Sequence, residues 1–305
     1  METSLAEDTT RCGFVALIGA PNAGKSTLLN QLVGAKISIV SRKVQTTRTQ
    51  VRGIALSGNS QIIFVDTPGL FQPKRRLDRA MVTSAWGGAT DADTVGVLVD
   101  VTKVDTEENQ RLLERIGELR QPKFLILNKI DLVAKEALLA ITAAVNERAR
   151  FETTFMVAAM TGYGVKDILT WLETRVPPGP WLYPEDQISD APLRFLAAEI
   201  TREKMFERLH DELPYRSTVE TESWEQRPDG SVRIEQTIYV EREGQRKIVL
   251  GEGGQTIKAI GQRARVEIAE AAEAKVHLFL FVKVRENWSD DPERYREMGL
   301  EFPKG

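Results

Sequence analysis

Gly19-Ala20-Pro21-Asn22-Ala23-Gly24-Lys25-Ser26, followed by Thr27, fits the pattern G-x-x-x-x-G-K-[ST]. Such a loop turns its backbone amides inward onto phosphate oxygens. Lys25 would neutralise the β- and γ-phosphates, Ser26 would ligate Mg2+, and the helix N-terminus behind them adds positive potential. At this chain's own Gly, Lys and Ser/Thr frequencies the pattern should arise by chance in about one chain in 100 of this length. Asp66-Thr67-Pro68-Gly69 follows. D-x-x-G alone is expected about once per chain, but here it closes an apolar run. There Asp66 can hold Mg2+ through water, and the Gly69 amide can meet a γ-phosphate. Asn128-Lys129-Ile130-Asp131 closes another apolar run. A carboxylate at Asp131 can accept from both N1–H and the exocyclic amine of guanine, and adenine offers no such pair. Sites built on polar matching can discriminate by ~10⁴. The aliphatic stem of Lys129 can lie on the base.

Loops of this kind need a frame that brings strand ends together. Residues 13–175 provide one, alternating short apolar runs with amphipathic stretches. The runs are Phe14–Ile18, Val51–Leu56, Ile62–Val65, Val95–Val99, Phe124–Leu127 and Thr154–Val157, and the helical patterns lie near 25–33, 76–86, 107–120, 136–149 and 165–175. Runs of this composition separated by helices predict a parallel sheet covered on both faces. Ser57-Gly58-Asn59-Ser60 joins two runs directly, which predicts an antiparallel hairpin at one edge. The expected fold is therefore an α/β P-loop domain with a mostly parallel six-stranded sheet and one antiparallel edge strand. Pro177, Pro178, Pro180 and Pro184 crowd the next segment, which can be neither helix nor central strand and reads as a semi-rigid linker. Beyond about 190 the pattern becomes helix, strand, strand, helix, helix, strand, an α+β domain. The expected division is an N-terminal extension at 1–12, the phosphate-binding domain at 13–176, the linker at 177–190 and the second domain at 191–305.

Composition sets outer limits. The 305 residues carry 41 Lys+Arg against 44 Asp+Glu, a formal net charge of −3, which suits a globular chain of about two domains. No apolar run approaches the ~18 residues of a membrane span. Met1–Arg11 holds Glu2, Glu7 and Asp8 and no apolar core, so no secretory signal is expected. Cys12 is the one cysteine, which excludes a disulfide framework and a cysteine-clustered zinc site and makes a reducing cytoplasm the default. His210 and His277 read as structural or solvated, and Trp86, Trp171, Trp181, Trp224 and Trp288 as packing or linker anchors.

A second glycine loop lies in the second domain, where Gly251-Glu252-Gly253-Gly254 forms G-x-x-G between two helical stretches. In KH modules such a loop clamps a nucleic-acid backbone, because glycine lets phosphates approach the main chain while unstacked bases lie in an apolar groove. Residues 190–305 hold 19 Lys+Arg against 23 Asp+Glu, so the domain as a whole is not basic. Locally the balance reverses: 242–265 carries Arg242, Arg246, Lys247, Lys258, Arg263 and Arg265 against Glu243 and Glu252, net +4. Arg246, Lys247, Gly251, Glu252, Gly253, Gly254, Lys258 and Arg263 are the expected RNA-binding residues. Glu252 departs from the basic residues often found inside this loop.

Three nucleotide motifs in this order at strand ends resemble translation-factor-type GTPases. That resemblance implies a first switch at Gln45-Thr46-Thr47-Arg48, with Thr47 as the Mg2+ ligand and Thr46 its rival. It also implies base contacts from Ala158-Ala159-Met160, where the family usually has Ser-Ala; Ala158 departs from that pattern, which leaves the amide as its means of contact. Leu70 stands where Ras-like enzymes carry a water-orienting glutamine, so unaided hydrolysis is expected to be slow. In several relatives the asparagine of a Pro-Asn phosphate loop helps hold K+, the role expected of Asn22 unless it merely shapes the loop. Lys25, Thr47 and Gly69 would carry the hydrolysis.

Tyr183-Pro184-Glu185-Asp186, Arg242-Glu243-Gly244-Gln245, Val276-His277-Leu278 and Asn287-Trp288-Ser289-Asp290-Asp291 extend the likeness over about 13–300, and the chain resembles the Era family of bacterial GTPases. The resemblance implies a type II KH domain, GTP and GDP as nucleotides, and binding to the 3′ end of small-subunit ribosomal RNA and the assembling small ribosomal subunit. It further implies a monomer in the cytoplasm with a peripheral fraction at the inner face of the membrane. The competing reading is a P-loop phosphotransferase or hydrolase of metabolism with no RNA partner. Asn128, Asp131 and the lack of an obvious acid/base pair weigh against it.

Overall fold

The computed structural model describes residues 10–41, 43, 46–73, 75–210, 212–286, 288 and 291–303. Gln45, Asn287, Ser289 and Asp290, which contributed to the sequence motifs, lie outside them, as does most of the expected 1–12 extension. The chain forms two compact units. Among the described residues no helix is long and apolar enough to cross a membrane.

The first unit contains β1 (Arg11–Gly19), α1 (Lys25–Val33), β2 (Val51–Ser57), β3 (Ser60–Asp66), most of α2 (Arg76–Asp91), β4 (Thr94–Asp100), α3 (Glu107–Gly117), β5 (Lys123–Asn128), α4 (Lys135–Arg148), β6 (Thr154–Val157) and α5 (Val165–Leu172). The sheet order is β2-β3-β1-β4-β5-β6. All neighbours are parallel except β2 and β3, the predicted edge hairpin, which turns through Gly58 at φ 52°. Every residue of β3 and β4 is buried, as strands covered on both faces must be, and this explains their unbroken apolar runs. Because the parallel strands point one way, the ends of β1, β3, β4 and β5 deliver Gly19, Asp66, Asp100 and Asn128 to one edge of the sheet, where α/β folds place ligands.

The proline-rich segment is held to this unit. The Leu182 and Tyr183 amides both donate to Gln61 Oε1 (2.9 and 3.0 Å), and Gln61 Nε2 donates to the Tyr183 carbonyl (2.8 Å). The Trp181 indole donates to the Asn59 carbonyl, and the Ile54 amide of β2 donates to the Ile188 carbonyl (2.9 Å). The strap thus satisfies an outward backbone donor of the edge strand, and the first unit runs to Asp190.

The second unit contains α6 (Leu193–Arg208), β7 (Ser217–Gln226), β8 (Val232–Val240), α7 (Glu243–Leu250), α8 (Gln255–Ala271), β9 (Val276–Val284) and α9 (Pro292–Glu297). The sheet order is β7-β8-β9, antiparallel then parallel, the expected type II KH arrangement. On β9, Val276, Leu278, Leu280 and Val282 join the apolar clusters, while Val284 at the strand's end is 38% exposed. The sequence pattern assigns all of 13–176 to one domain, whereas Ser38–Thr46 and Lys74–Ala80 group with this second unit. Two contacts of buried α6 side chains explain the first of these. The Val40 amide donates to Glu203 (2.7 Å), and Arg202 donates to the Thr46 carbonyl (2.6 Å). Trp288 is buried and its indole donates to the Arg216 carbonyl, an anchoring role.

Candidate functional site

β1 ends at Gly19, where only glycine fits because a Cβ would sit 2.6 Å from the Leu98 carbonyl oxygen. The chain then passes through Ala20, Pro21, left-handed Asn22 (φ 61°) and Ala23 to Gly24 at φ 102°, where α1 begins. A Cβ on Gly24 would meet Asn128 Nδ2 at 2.3 Å, so glycine is required here by both conformation and space. Lys25 opens α1 and donates to the carbonyls of Gly19 (3.0 Å) and Ala20 (3.1 Å). Burial pushes its ammonium down to about 8, against the opposing attraction of Asp66. Thr27 lies in the same first turn.

Ser26 is the meeting point of three motifs. Its hydroxyl donates to Asp66 Oδ2 at 2.7 Å and lies 2.9 Å from Thr47 Oγ1. Thr46 differs: its hydroxyl donates to the Lys43 carbonyl at 2.8 Å, so of the two threonines Thr47 stands at the P-loop. Among the described residues no group of three or more His, Cys, Asp or Glu side chains could hold a metal. The set gathered here is one carboxylate and two hydroxyls, hard oxygens of the kind that bind Mg2+ together with substrate phosphates. After β3, Thr67 donates to the Leu17 carbonyl (2.8 Å) and the Leu70 amide donates to the Gly19 carbonyl (3.0 Å). Pro68 is buried, and a Cβ on Gly69 would lie 3.0 Å from Pro21 Cα. Leu70 packs into the core of the first unit.

Asn128 ties two loops together. Its Nδ2 donates to the Ala23 carbonyl (2.8 Å), and its Oδ1 accepts from the Ala159 amide (3.0 Å). Lys129, also left-handed (φ 66°), donates to the Asn22 carbonyl (2.9 Å) and to Asp100 Oδ2 (2.6 Å). Asp131 follows in a short 3-10 turn with its carboxylate exposed. Ala158 and Ala159 are buried and spend their amides on the Tyr163 carbonyl and Asn128, while Met160 is 77% exposed. Sequence reasoning does not single out Asp100, although an acid at the end of the apolar run Val95–Val99 was the available signal.

In the second unit, Gly251 (φ 73°), Gly253 (φ 57°) and Gly254 (φ 77°) make the turn between α7 and α8, with Glu252 exposed inside it. Gln245 Oε1 accepts from the amides of Glu241 and Arg242 and so caps the start of α7. Lys247 and Lys258 are exposed on either side of the turn. Arg246 is engaged by Glu243 (2.8 Å) and the Val282 carbonyl, and Arg263 lies 3.5 Å from Glu207 of α6. Eight residues separate Arg263 from Gln255, about 12 Å along the helix, which sets it apart from the turn.

A family model described as "50S ribosome-binding GTPase" matches residues 14–129, and one described as "KH domain" matches 212–289. The chain is 68% identical over 294 residues to GTPase Era of Mesorhizobium japonicum, spanning 96% of this chain and 95% of that protein. It is similar to the crystal structure of Era in complex with MgGDPNP and nucleotides 1506-1542 of 16S ribosomal RNA, with TM-score 0.89 and 34% identity over 95% of this chain and 99% of that one. A structure of Aquifex aeolicus Era bound to GDP.AlF4- matches with the same TM-score of 0.89 and 34% identity, over 95% of this chain and 99% of that one.

Proposed function

This chain belongs to the Era family of GTPases, and from that premise we propose that it is a GTP-hydrolysing switch whose KH domain binds the 3′ end of small-subunit ribosomal RNA and assists assembly of the small subunit. The observation that carries the switch is the convergence of Thr47 and Asp66 on Ser26, at 2.9 and 2.7 Å. Residues from three separate motifs meet at the mouth of the phosphate loop. Ser26, Thr47 and Asp66 would hold Mg2+. When bound, that ion neutralises charge on the β- and γ-phosphates of the substrate.

The chain's own groups supply the rest. Gly19 to Gly24 cradle the phosphates, and Lys25 provides the fixed positive charge beside them. Thr67, Pro68, Gly69 and Leu70 bring the second switch against Gly19, where the Gly69 amide meets the γ-phosphate. Asp131 and Lys129 select guanine, while Asn128, bonded to the Ala23 carbonyl and the Ala159 amide, ties the loop Ala158-Ala159-Met160 to the phosphate loop beside them. Leu70 cannot orient water by hydrogen bonding, so intrinsic turnover is slow, with the unaided Ras-like rate of order 10⁻⁴ s⁻¹ as the reference scale. We assign the stimulation to K+ held with the help of Asn22, to the ribosomal particle, or to both.

The segment 38–46 ends next to Thr47, and 74–80 follows Gly69 within a few residues, yet both group with the second unit, which supports coupling of nucleotide state to the RNA-binding unit. The division into 13–176, 177–190 and 191–305, the monomeric state and a cytoplasmic location with a peripheral membrane fraction belong to the same proposal. RNA crosslinking in the GTP and GDP states tests it. The expected result is crosslinks around Gly251–Gly254, Lys247 and Lys258 that change with the nucleotide. Crosslinks confined to the first unit, or identical in both states, overturn it.

A further inference from the structure

One buried carboxylate at this edge of the sheet belongs to none of the nucleotide motifs. Asp100 ends β4, is 3% exposed, and pairs across the sheet with Asn128. Its Oδ1 accepts from the Thr102 amide (2.9 Å) and hydroxyl (2.7 Å), which fixes the carboxylate plane. Its Oδ2 then faces Lys129 Nζ at 2.6 Å, and the same ammonium reaches the Asn22 carbonyl at 2.9 Å. Burial alone would raise the Asp100 carboxyl. Hydrogen bonds from Lys129 and Thr102, with the charge of Lys129, hold it below the usual carboxylate range.

Both ends of this link are conformationally unusual. Among the described residues only Asn22, Lys129 and Glu273 are non-glycine residues at positive φ, and the Lys129 ammonium joins the first two. Such conformations persist when surrounding contacts over-determine them. A buried anion clamped on one side by Thr102 and paired with Lys129 on the other is such a contact. We propose that Asp100 is a positioning residue for guanine nucleotides: through Lys129 it holds the Asn22 carbonyl, so that the base-selecting loop and the phosphate loop are kept as one piece. The inference rests on the nucleotide site described above. With its head pinned, the Lys129 side chain keeps its stem at a fixed height beside the base site, and Asp131 two residues on inherits that placement.

The test is Asp100→Asn, which keeps the shape of the side chain and removes its charge, in the full chain with fluorescent GDP and GTP. Expected is a roughly 10- to 100-fold weaker binding carried by faster dissociation, as when one partner of a buried charge pair is lost. Lys129→Met should lose as much, and the double variant no more than Lys129→Met alone, since both act through one contact. Retained RNA binding and an unchanged melting temperature show that the fold survives. If Asp100→Asn does not fold, Thr102→Val loosens the same carboxylate and should weaken binding about two- to fivefold. Binding unchanged from the parent in the variant that folds, or additive losses in the double variant, overturns the inference. Failure of the unaltered chain to bind guanine nucleotides would instead sink the nucleotide site itself.

Discussion

The two glycine loops of this molecule solve different problems. In the phosphate loop, added Cβ atoms would strike protein: Leu98 from Gly19, Asn128 from Gly24, and Pro21 from Gly69 beside it. In the second unit, a Cβ on Gly253 or Gly254 meets nothing within 4 Å, and only Gly251 is crowded, by Thr256. The first loop is closed against its own frame, its amides fixed before any ligand arrives, as selective binding of a small anion requires. The second uses glycine for positive φ and leaves the outside clear for a polymer backbone. Glycine is thus closed in by protein in one unit and left open in the other.

The largest effect should come from breaking the closed loop. Gly24→Ala combines a φ of 102° with a Cβ 2.3 Å from Asn128 Nδ2, which itself holds the Ala23 carbonyl. GTP binding by equilibrium titration should fall by about 10³-fold, on the scale of a few kcal/mol for strain plus a displaced buried contact. RNA binding by the second unit should be retained. Undiminished GTP affinity would show that the loop is not closed.

Next comes the open loop. Gly251→Asp with Gly254→Asp places two carboxylates where phosphates approach and should cost about 100-fold in affinity for single-stranded RNA, with GTP affinity unchanged. Gly254→Ala alone faces open space at φ 77° and should cost only about fivefold, the backbone penalty of a left-handed alanine. Gel shift or fluorescence anisotropy reads both. A single alanine as damaging as the two aspartates would mean that this loop is also closed.

The frame of both units was legible because its signals are local. Apolar runs ended by Gly19, Asp66 and Asn128 marked the strands, and Ser57-Gly58-Asn59-Ser60 marked the antiparallel edge. What stayed hidden depends on contacts between distant residues. Gln61 stands just before the apolar run Ile62–Val65 and matches no motif, yet it clamps Leu182 and Tyr183. Asp100 matches no motif and works by lying beside Asn128 across the sheet. The family resemblance already favoured Thr47 over Thr46, but residue type could not separate two threonines one position apart; the hydroxyl geometry sets Thr47 beside Ser26 and Thr46 on the Lys43 carbonyl. Arg263 counts toward a basic stretch in sequence, but helix periodicity carries it to Glu207.

A smaller effect separates shape from chemistry in the closed loop. Asn22 holds a left-handed conformation that glycine can adopt freely, so Asn22→Gly removes the side chain and keeps the turn. GTP binding should be retained within about threefold, while the K+ stimulation of hydrolysis measured against Na+ should disappear. Equal hydrolysis in K+ and Na+ by the unaltered chain removes the cation role and leaves Asn22 as a loop-shaping residue.

The smallest expected change in rate is at Leu70. By sequence it occupies the place of a water-orienting glutamine, which invites Leu70→Gln as a gain of function. In the structure this leucine does something else. Its amide donates to the Gly19 carbonyl, and its side chain is 6% exposed among the core residues of the first unit. A glutamine amide there is drawn into an apolar cluster instead of reaching the phosphates. Leu70→Gln should therefore leave the intrinsic rate within about threefold while costing roughly 1–3 kcal/mol of stability in urea unfolding, the penalty for burying an unpaired amide. A tenfold faster rate at unchanged stability would place the side chain at the nucleotide and show that the second switch, unlike the loop it leans on, is open.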